Sequence, residues 1–406
     1  DKKIIFFLGL FFVILFLSTL FQLFTKGYYV DWIKSLLFVR YFLLLLVIKE
    51  LIKNQNFNLN YFLYSCLFIS SLISIDILIQ FSFGQNILGF KPISLPGNIN
   101  YYSGVFEKEL IAGGYILMFS IIGIFGIPII LQKINKIYLI FIFLFGITIF
   151  IIALLLSGNR MPSIMFLFFV LILSLIVNKK QFRFHFFVIG FSILLIGLIS
   201  IFNSDSLKKR YSSFLIGIPN PLNILSELQK HYPELEKYKY SGKAFHNITT
   251  YDAKENYKLY PAYTGHFPLY LTSLDLIKDS PLIGKGIKSF RNNCENKIYL
   301  PNRICENHPH NFILEILNDT GIIGLILITI PLFLLIANHY RDYILDYRRR
   351  NKISNWIYLA IICALIIQFF PLRSSGSFFS TFNSTYSFLL IGLSLGLNEL
   401  RFTKNK

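Results

Sequence analysis

The sequence predicts an all-α, polytopic membrane protein of ten to twelve transmembrane helices with one large loop outside the cytoplasm. Three observations carry that expectation. Hydrophobic residues make up 54% of the 406 residues, Phe alone accounts for 44, and mean hydropathy is +0.58. Soluble domains do not have this balance. Apolar runs of about 20 residues, the length needed to cross the hydrocarbon core, recur along the whole chain. The runs are continuous rather than alternating, which selects helices over barrel strands.

In chain order the spans are expected near residues 4–24, 32–48, 61–81, 110–131, 137–156, 162–177, 185–202, 311–337, 354–371 and 384–398. The first run is a span rather than a cleaved signal, because it is long and lacks a small-residue cleavage site. The chain opens at Asp1 instead of Met, which points to an upstream segment. Three regions follow: membrane helices over 1–202, a large loop over 203–310, and membrane helices over 311–406, working as one membrane domain.

A formal charge of +18 suggests nucleic acid until its distribution is followed. With a cytoplasmic N-terminus, seventeen basic residues fall in inside segments, among them Lys49, Lys53, Lys133, Lys179, Lys180, Arg341 and Arg348-Arg349-Arg350. The short outside loops hold five: Lys26, Lys91, Lys108, Arg160 and Arg373. This is the positive-inside bias of cytoplasmic loops. The Arg triplet is therefore a topology anchor, nucleic acid is not an expected partner, and the partners are membrane lipids. The large loop lies outside the cytoplasm, which in a Gram-negative cell is the periplasm.

Cys66 and Cys363 lie inside apolar spans as buried thiols. Cys294 and Cys305 lie in the external loop, in a compartment that permits disulfides. One reading is a disulfide closing a small loop; the other is a metal site with His308 and His310. The Cys-x10-Cys spacing lacks the tight pair usual in zinc sites, which favours the disulfide and leaves no metal expected.

Within the loop, Lys208-Lys209-Arg210-Tyr211 follows the seventh span directly, and a Tyr- and Lys-rich middle runs from Pro219 to Tyr263. Next comes GHFPLYLTSLDLIKDSPLIGKG (265–286), whose apolar positions Leu271, Leu274 and Ile277 predict an amphipathic helix ending before Pro281. Such a helix suits a membrane surface or the cap of a cavity, and packing on other helices explains it equally.

The densest polar constellation is FRNNC (290–294) with CENHPHNFILEILNDTGIIGL (305–325), where the loop re-enters the membrane. A neutral imidazole there is able to take a proton from a hydroxyl, and Asn311 suits a helix cap or a partner that orients His310. The plainer reading makes HPHN a polar helix start. Arginines at membrane depth are costly and invite a functional reading. Arg160 in LLLSGNRMPS and Arg373 in FPLRSSGS interrupt apolar stretches, and Arg210 and Arg291 stand near the two ends of the loop. With Lys108 they are suited to an anionic group, since guanidinium forks bind phosphate oxygens bidentately. Each one alone is also explained as a snorkelling surface charge. Arg40, inside the second span, has no evident role. No phosphate-binding Walker loop, His-Glu-x-x-His, Gly-x-Ser-x-Gly or dinucleotide fingerprint is present, so no cofactor is expected. Asp279 and Asp319 read as single structural carboxylates.

The stretch KDSPLIGKGIKSFRNNC (278–294) followed by HPHNFILEILNDTGIIGL (308–325) resembles the O-antigen ligase and O-antigen polymerase superfamily. In that family a D-x-P-x-x-G-x-G segment precedes an HN-x-x-L motif and a G-x-x-G helix. SGVFEKELIAGGY (103–115), LLLSGNRMPSI (154–164) and FPLRSSGSFF (370–379) are similar to further family elements, so the resemblance spans most of residues 100–400. It implies a glycosyltransferase of the inner membrane that moves a glycan from undecaprenyl pyrophosphate to an acceptor hydroxyl, with inversion and without a metal. The acceptor is the lipid A core for a ligase, the expected case, and a lipid-linked repeat unit for a polymerase, the alternative. By the same resemblance His310 is the general base and Arg160 and Arg210 hold the pyrophosphate, with His308, Arg291, His266 and Arg373 in supporting places. The chain departs from the family at Gly265-His266, where many members carry Arg; a subset with His there also has the two loop cysteines. A transporter or flippase would instead call for inverted repeats and broken half-helices, which the sequence lacks.

Overall fold

A computed structural model gives the fold and describes residues 2–95, 99–177, 266–297, 303–348 and 352–404. In chain order the helices are α1 (Lys2–Lys26), α2 (Tyr29–Lys53), α3 (Leu59–Phe83), α4 (Ala112–Gly123), α5 (Gly126–Ile130), α6 (Lys136–Ser157), α7 (Arg160–Ile176), α8 (Phe267–Asp279), α9 (Ser289–Asn293), α10 (Phe312–Arg348), α11 (Lys352–Gln368) and α12 (Thr381–Lys404). One antiparallel hairpin, β1 (Ile93–Leu95) with β2 (Ile99–Tyr101), pairs Ile93 with Tyr101 and Leu95 with Ile99. The hairpin is a local addition to a chain that is mostly helical, as expected; Ile93, Leu95, Ile99 and Tyr101 stand on either side of Pro96-Gly97-Asn98, and such residues suit paired extended backbone.

Five helices are long and apolar enough to cross a membrane: Lys2–Lys26, Leu59–Phe83, Ala112–Ile130, Ile137–Ser157 and Phe312–Leu345. Arg160–Ile176 and Asn355–Gln368 are shorter apolar helices. The protein is thus a polytopic membrane protein, with five spans of that kind among the described residues against the ten expected. The expected spans at 32–48 and 384–398 do form helices, α2 and α12. Asp31, Lys34, Arg40, Lys49, Glu50 and Lys53 give α2 a lower hydropathy than its neighbours. The expected span at 185–202 and the loop from 203 to 265 lie outside the described residues.

The chain forms two compact units. Unit 1 comprises Asp1–Leu44, Ser212–Pro331 and Pro371–Phe388; unit 2 comprises Leu45–Tyr211, Leu332–Phe370 and Leu389–Lys406. The core of unit 1 is aromatic. Phe12, Phe38, Phe378 and Phe388 lie with ring centroids 5.0–6.5 Å from a neighbour, and Phe312 adds its ring 5.3 Å from Phe378. Such edge and tilted pairs each add roughly 1 kcal/mol beyond area burial. Arg40 belongs here, its guanidinium donating to the Tyr41 hydroxyl at 2.7 Å and lying 4.8 Å from that ring.

In unit 2, Phe125 packs against Phe143, Phe169 and Trp356. Gly123 lets α4 approach α3 so closely that a Cβ there would stand 2.6 Å from the Leu67 Cα, the small-residue contact expected where helices meet in lipid. Asp76, buried in α3, accepts from the Asn86 amide at 3.1 Å and the Ile87 N–H at 3.0 Å, fixing the turn that follows.

Candidate functional site

The site is built on a break in α10. Gly321 has φ 63° and ψ −169°, so the helix opens for one residue and leaves backbone groups without helical partners. The Pro281–Gly286 segment supplies the missing partners. Lys285 N–H donates to Asn318 O (2.9 Å) and Gly286 N–H to Asp319 O (2.8 Å), while Ile322 and Ile323 N–H donate to Pro281 O (2.8 Å) and Leu282 O (3.1 Å). Only glycine fits the closest approaches. A Cβ on Gly284 (φ +68°) would lie 2.5 Å from Asp319 C, and one on Gly286 (φ +82°) 2.5 Å from Thr19 Cα. The D-x-P-x-x-G-x-G segment and the later Asn-Asp-Thr-Gly are two halves of one joint.

Asp319 locks that joint. Fully buried, its carboxylate accepts from Lys288 N–H (3.0 Å), Ser289 N–H (3.1 Å) and Ser289 Oγ (2.7 Å). Its role is structural, as expected. So is that of Asp279, which pairs with Lys285 (2.8 Å) and Lys297 (2.9 Å).

Above the joint, α8 and the 303–310 segment are pinned side by side. Cys294 and Cys305 are joined in a disulfide, with Cα atoms 5.1 Å apart. Leu269, Leu276, Phe290 and Cys294 form a buried apolar cluster against which Ile304 and Cys305 pack. Thr272 Oγ1 accepts from Ile304 N–H at 3.2 Å, and Arg303 pairs with Asp275 at 2.6 Å. These ties bring His266, at the start of α8, to the HPHN segment.

The result is a stack of three imidazoles. The His310 ring lies between His266 (centroids 4.2 Å apart, planes 22° apart) and His308 (4.1 Å, 41°). His310 has a left-handed backbone, φ +54°, unusual for a residue with a side chain. Its carbonyl accepts from Ser375 N–H at 2.8 Å, so the 371–378 loop holds the turn from the other side. Its Nε2 lies 3.2 Å from a Glu306 carboxylate oxygen.

Asn311 caps α10 through Leu314 N–H (3.1 Å) and uses its amide to bind Pro371 O (2.7 Å) and Arg373 O (3.3 Å). Of the two roles foreseen for Asn311, the cap is the one occupied. Glu315, one turn on, accepts from Ser377 Oγ (2.6 Å) and Phe378 N–H (2.5 Å), and Tyr270 on α8 bonds Ser374. The loop 371–378 is therefore stitched to both arms of the histidine stack.

Burial pushes His266 down to about 4, with the His310 charge adding to the effect. Burial likewise lowers His308 to about 4, helped by His310 and His266. Both outer rings are thereby held in the neutral form at neutral pH. The buried His308 Nε2 has no hydrogen-bond partner among the described residues. Arg373 is buried with its guanidinium 5.8 Å from the Phe312 ring. Burial lowers it to about 10, with Tyr386 pulling the other way, so it stays charged.

The remaining expected residues fall as follows. Arg291 is exposed on α9. Arg160 opens α7 in unit 2, beside Asn159, whose side chain accepts from Gly113 N–H (3.0 Å) and donates to Leu110 O (2.7 Å). Lys108 is exposed in unit 2 with Glu107 as its neighbour. Arg210 lies outside the described residues. Glu306, Tyr270 and Ser374–Ser375 were not foreseen. Glu306 alone had a sequence signal, standing four residues before His310 in the polar run that precedes α10.

Residues 143–329 match a protein-family model described as O-antigen ligase. Over that stretch the chain is similar to the O-antigen ligase family. That ligase-family match takes in Arg160, the disulfide, all three stacked histidines and the α10 joint, while the 371–378 loop lies beyond it. No curated protein matches the chain. Among the described residues no group of three or more His, Cys, Asp or Glu is placed to hold a metal ion.

Proposed function

We propose that this protein transfers a glycan from undecaprenyl pyrophosphate to an acceptor hydroxyl on the periplasmic face of the inner membrane, as an O-antigen ligase acting on the lipid A core. The observation that carries the reading is the His310 ring, paired with Glu306 and flanked by two neutral imidazoles, inside the stretch similar to the O-antigen ligase family. With its Nε2–H turned to Glu306, His310 presents Nδ1 as base; the carboxylate favours that tautomer and stabilises the imidazolium once formed. The acceptor oxygen attacks the anomeric carbon as His310 takes its proton. The bond from that carbon to the pyrophosphate oxygen breaks, and the pyrophosphate leaves with the electron pair. Attack opposite the leaving group inverts the anomeric centre. Arg160, Arg210, Arg291 and Arg373 are the cations proposed to hold the leaving group, the electrostatic contribution that is usually largest. His308 Nε2, without a hydrogen-bond partner among the described residues, is suited to a sugar hydroxyl.

His310→Ala should abolish transfer while the protein remains inserted and disulfide-bonded, with carrier-linked polymer accumulating in cells. Near-normal surface glycan on a gel would refute the base assignment. The gel also separates the acceptors: a core bearing a single repeat identifies a polymerase that joins lipid-linked units.

A further inference from the structure

His310 stands in a left-handed turn (φ +54°), which a residue with a side chain keeps only where its surroundings hold it. The Ser375 N–H supplies one such hold, donating to the His310 carbonyl at 2.8 Å. Ser375 lies midway along the 371–378 loop, so the placing of the turn depends on that of the loop. Two residues one turn apart on α10 grip the loop near its ends. Asn311 donates to Pro371 O (2.7 Å) and Arg373 O (3.3 Å). Glu315, only 5% exposed, accepts from Ser377 Oγ (2.6 Å) and Phe378 N–H (2.5 Å). The first turn of α12 takes the opposite side of the same pair, with the Asn383 amide donating to Ser377 O (2.8 Å) and the Ser384 hydroxyl to Phe378 O (2.7 Å). A buried carboxylate is costly unless its oxygens are hydrogen-bonded, and both oxygens of Glu315 go to the loop. Asp319, one turn further along α10, gives its oxygens to the Lys288–Ser289 segment instead. The Lys288 charge also acts on Glu315, and replacing the carboxylate by an amide removes that influence while leaving both hydrogen bonds possible.

We propose that Glu315 is a positioning residue for the transfer reaction, acting on His310 through the 371–378 loop. Its carboxylate fixes Ser377 and Phe378, and with them the Ser375 N–H that holds the His310 turn. The proposal rests on the reading of His310 as the general base and gives Glu315 no contact with substrate.

The full chain in lipid nanodiscs, given an undecaprenyl-pyrophosphate-linked glycan and lipid A core, supplies the first readout, transfer kinetics. The second is a nitroxide on Leu372→Cys, an exposed loop position (74%), whose spectrum reports loop mobility independently of activity. The label is confined to that site because Cys66 and Cys363 are buried and Cys294 and Cys305 are joined. Glu315→Ala should lower kcat about tenfold, leave both KM values within about twofold, and sharpen the nitroxide lines. Glu315→Gln is able to accept from Phe378 N–H through Oε1 and donate to Ser377 Oγ through Nε2. It should bring kcat within about threefold of the unaltered protein and restore the broad spectrum. Ser377→Ala should lower kcat about threefold and add little to Glu315→Ala, because both act on one bond. Gln as impaired as Ala assigns the effect to charge and overturns the proposal, as does an unaltered nitroxide spectrum in the Ala variant. Should Glu315→Ala fail to fold, Ser377→Ala decides: a lowered kcat with a looser label sustains the proposal, and either one unaltered overturns it. Transfer lost in His310→Ala yet unimpaired in Glu315→Ala overturns this proposal alone. Transfer unimpaired in His310→Ala refutes the base assignment and the proposal with it.

Discussion

Replacing Asp319 by Ala probes the joint on which the candidate site rests. The carboxylate is fully buried and accepts three hydrogen bonds, from Lys288 N–H, Ser289 N–H and Ser289 Oγ. Truncation leaves two backbone donors and a hydroxyl without these acceptors, and an unsatisfied buried donor costs about 1–3 kcal/mol. The Ser289 hydroxyl is free to rotate and recovers part of its share, so the expected loss is about 3–5 kcal/mol. Asp319→Asn keeps one oxygen for the Ser289 pair and gives up the second acceptor, so about half that loss is expected. Thermal unfolding of the purified protein should fall on the order of 5 °C for Ala, with Asn intermediate. An Ala variant that unfolds within about 1 °C of the unaltered protein would refute the reasoning, since no joint of this kind could then depend on the carboxylate.

Three further outcomes are expected. Cys294→Ser with Cys305→Ser should cost about 3 kcal/mol on the chain-entropy estimate for a loop of this size and loosen His266 from His310; calorimetry beside a transfer assay checks both. His266 and His308 are held near 4 in the folded protein, below their ordinary 6.5. The unfolded chain therefore binds more protons between these values, so their contribution to stability is present above about 6.5 and is lost as pH falls toward about 4. His308→Asn should flatten that slope in melting curves from pH 7.5 to about 4.5, and an unaltered slope would contradict it. For Arg160, Ala should lose transfer on the order of a hundredfold and Lys on the order of tenfold, and equal mild losses would mark it as a surface charge.

Much of the site was legible in the sequence because its residues cluster in two short stretches. The amphipathic pattern predicted over 265–286 is α8, ending at Asp279 ahead of Pro281. The dense polar run 305–311 holds His308, His310 and the Asn311 cap. The 371–378 loop was noticed for its arginine, yet it is the backbone of that loop, with Ser374, Ser375 and Ser377, that ties the histidine turn. Serines of this kind carry no pattern, since their value depends on what stands opposite. The long hydrophobic stretch from Phe312 predicted one span and hid the break at Gly321, because an isolated glycine in an apolar run does not interrupt its hydropathy.

By itself the sequence determined the membrane class, the helices and the family resemblance, since hydropathy and spacing are local quantities that the bilayer and the backbone read directly. It also singled out the histidines and the loop cysteines by residue type. The tertiary structure decided which of these groups meet. It turned a glycine-rich motif into the splint for a broken helix and brought together the rings of three histidines, distant in part along the chain. Those outcomes depend on contacts between residues up to hundreds of positions apart, such as Ile287 N–H to Thr19 Oγ1 at 3.0 Å, and no local pattern encodes that proximity.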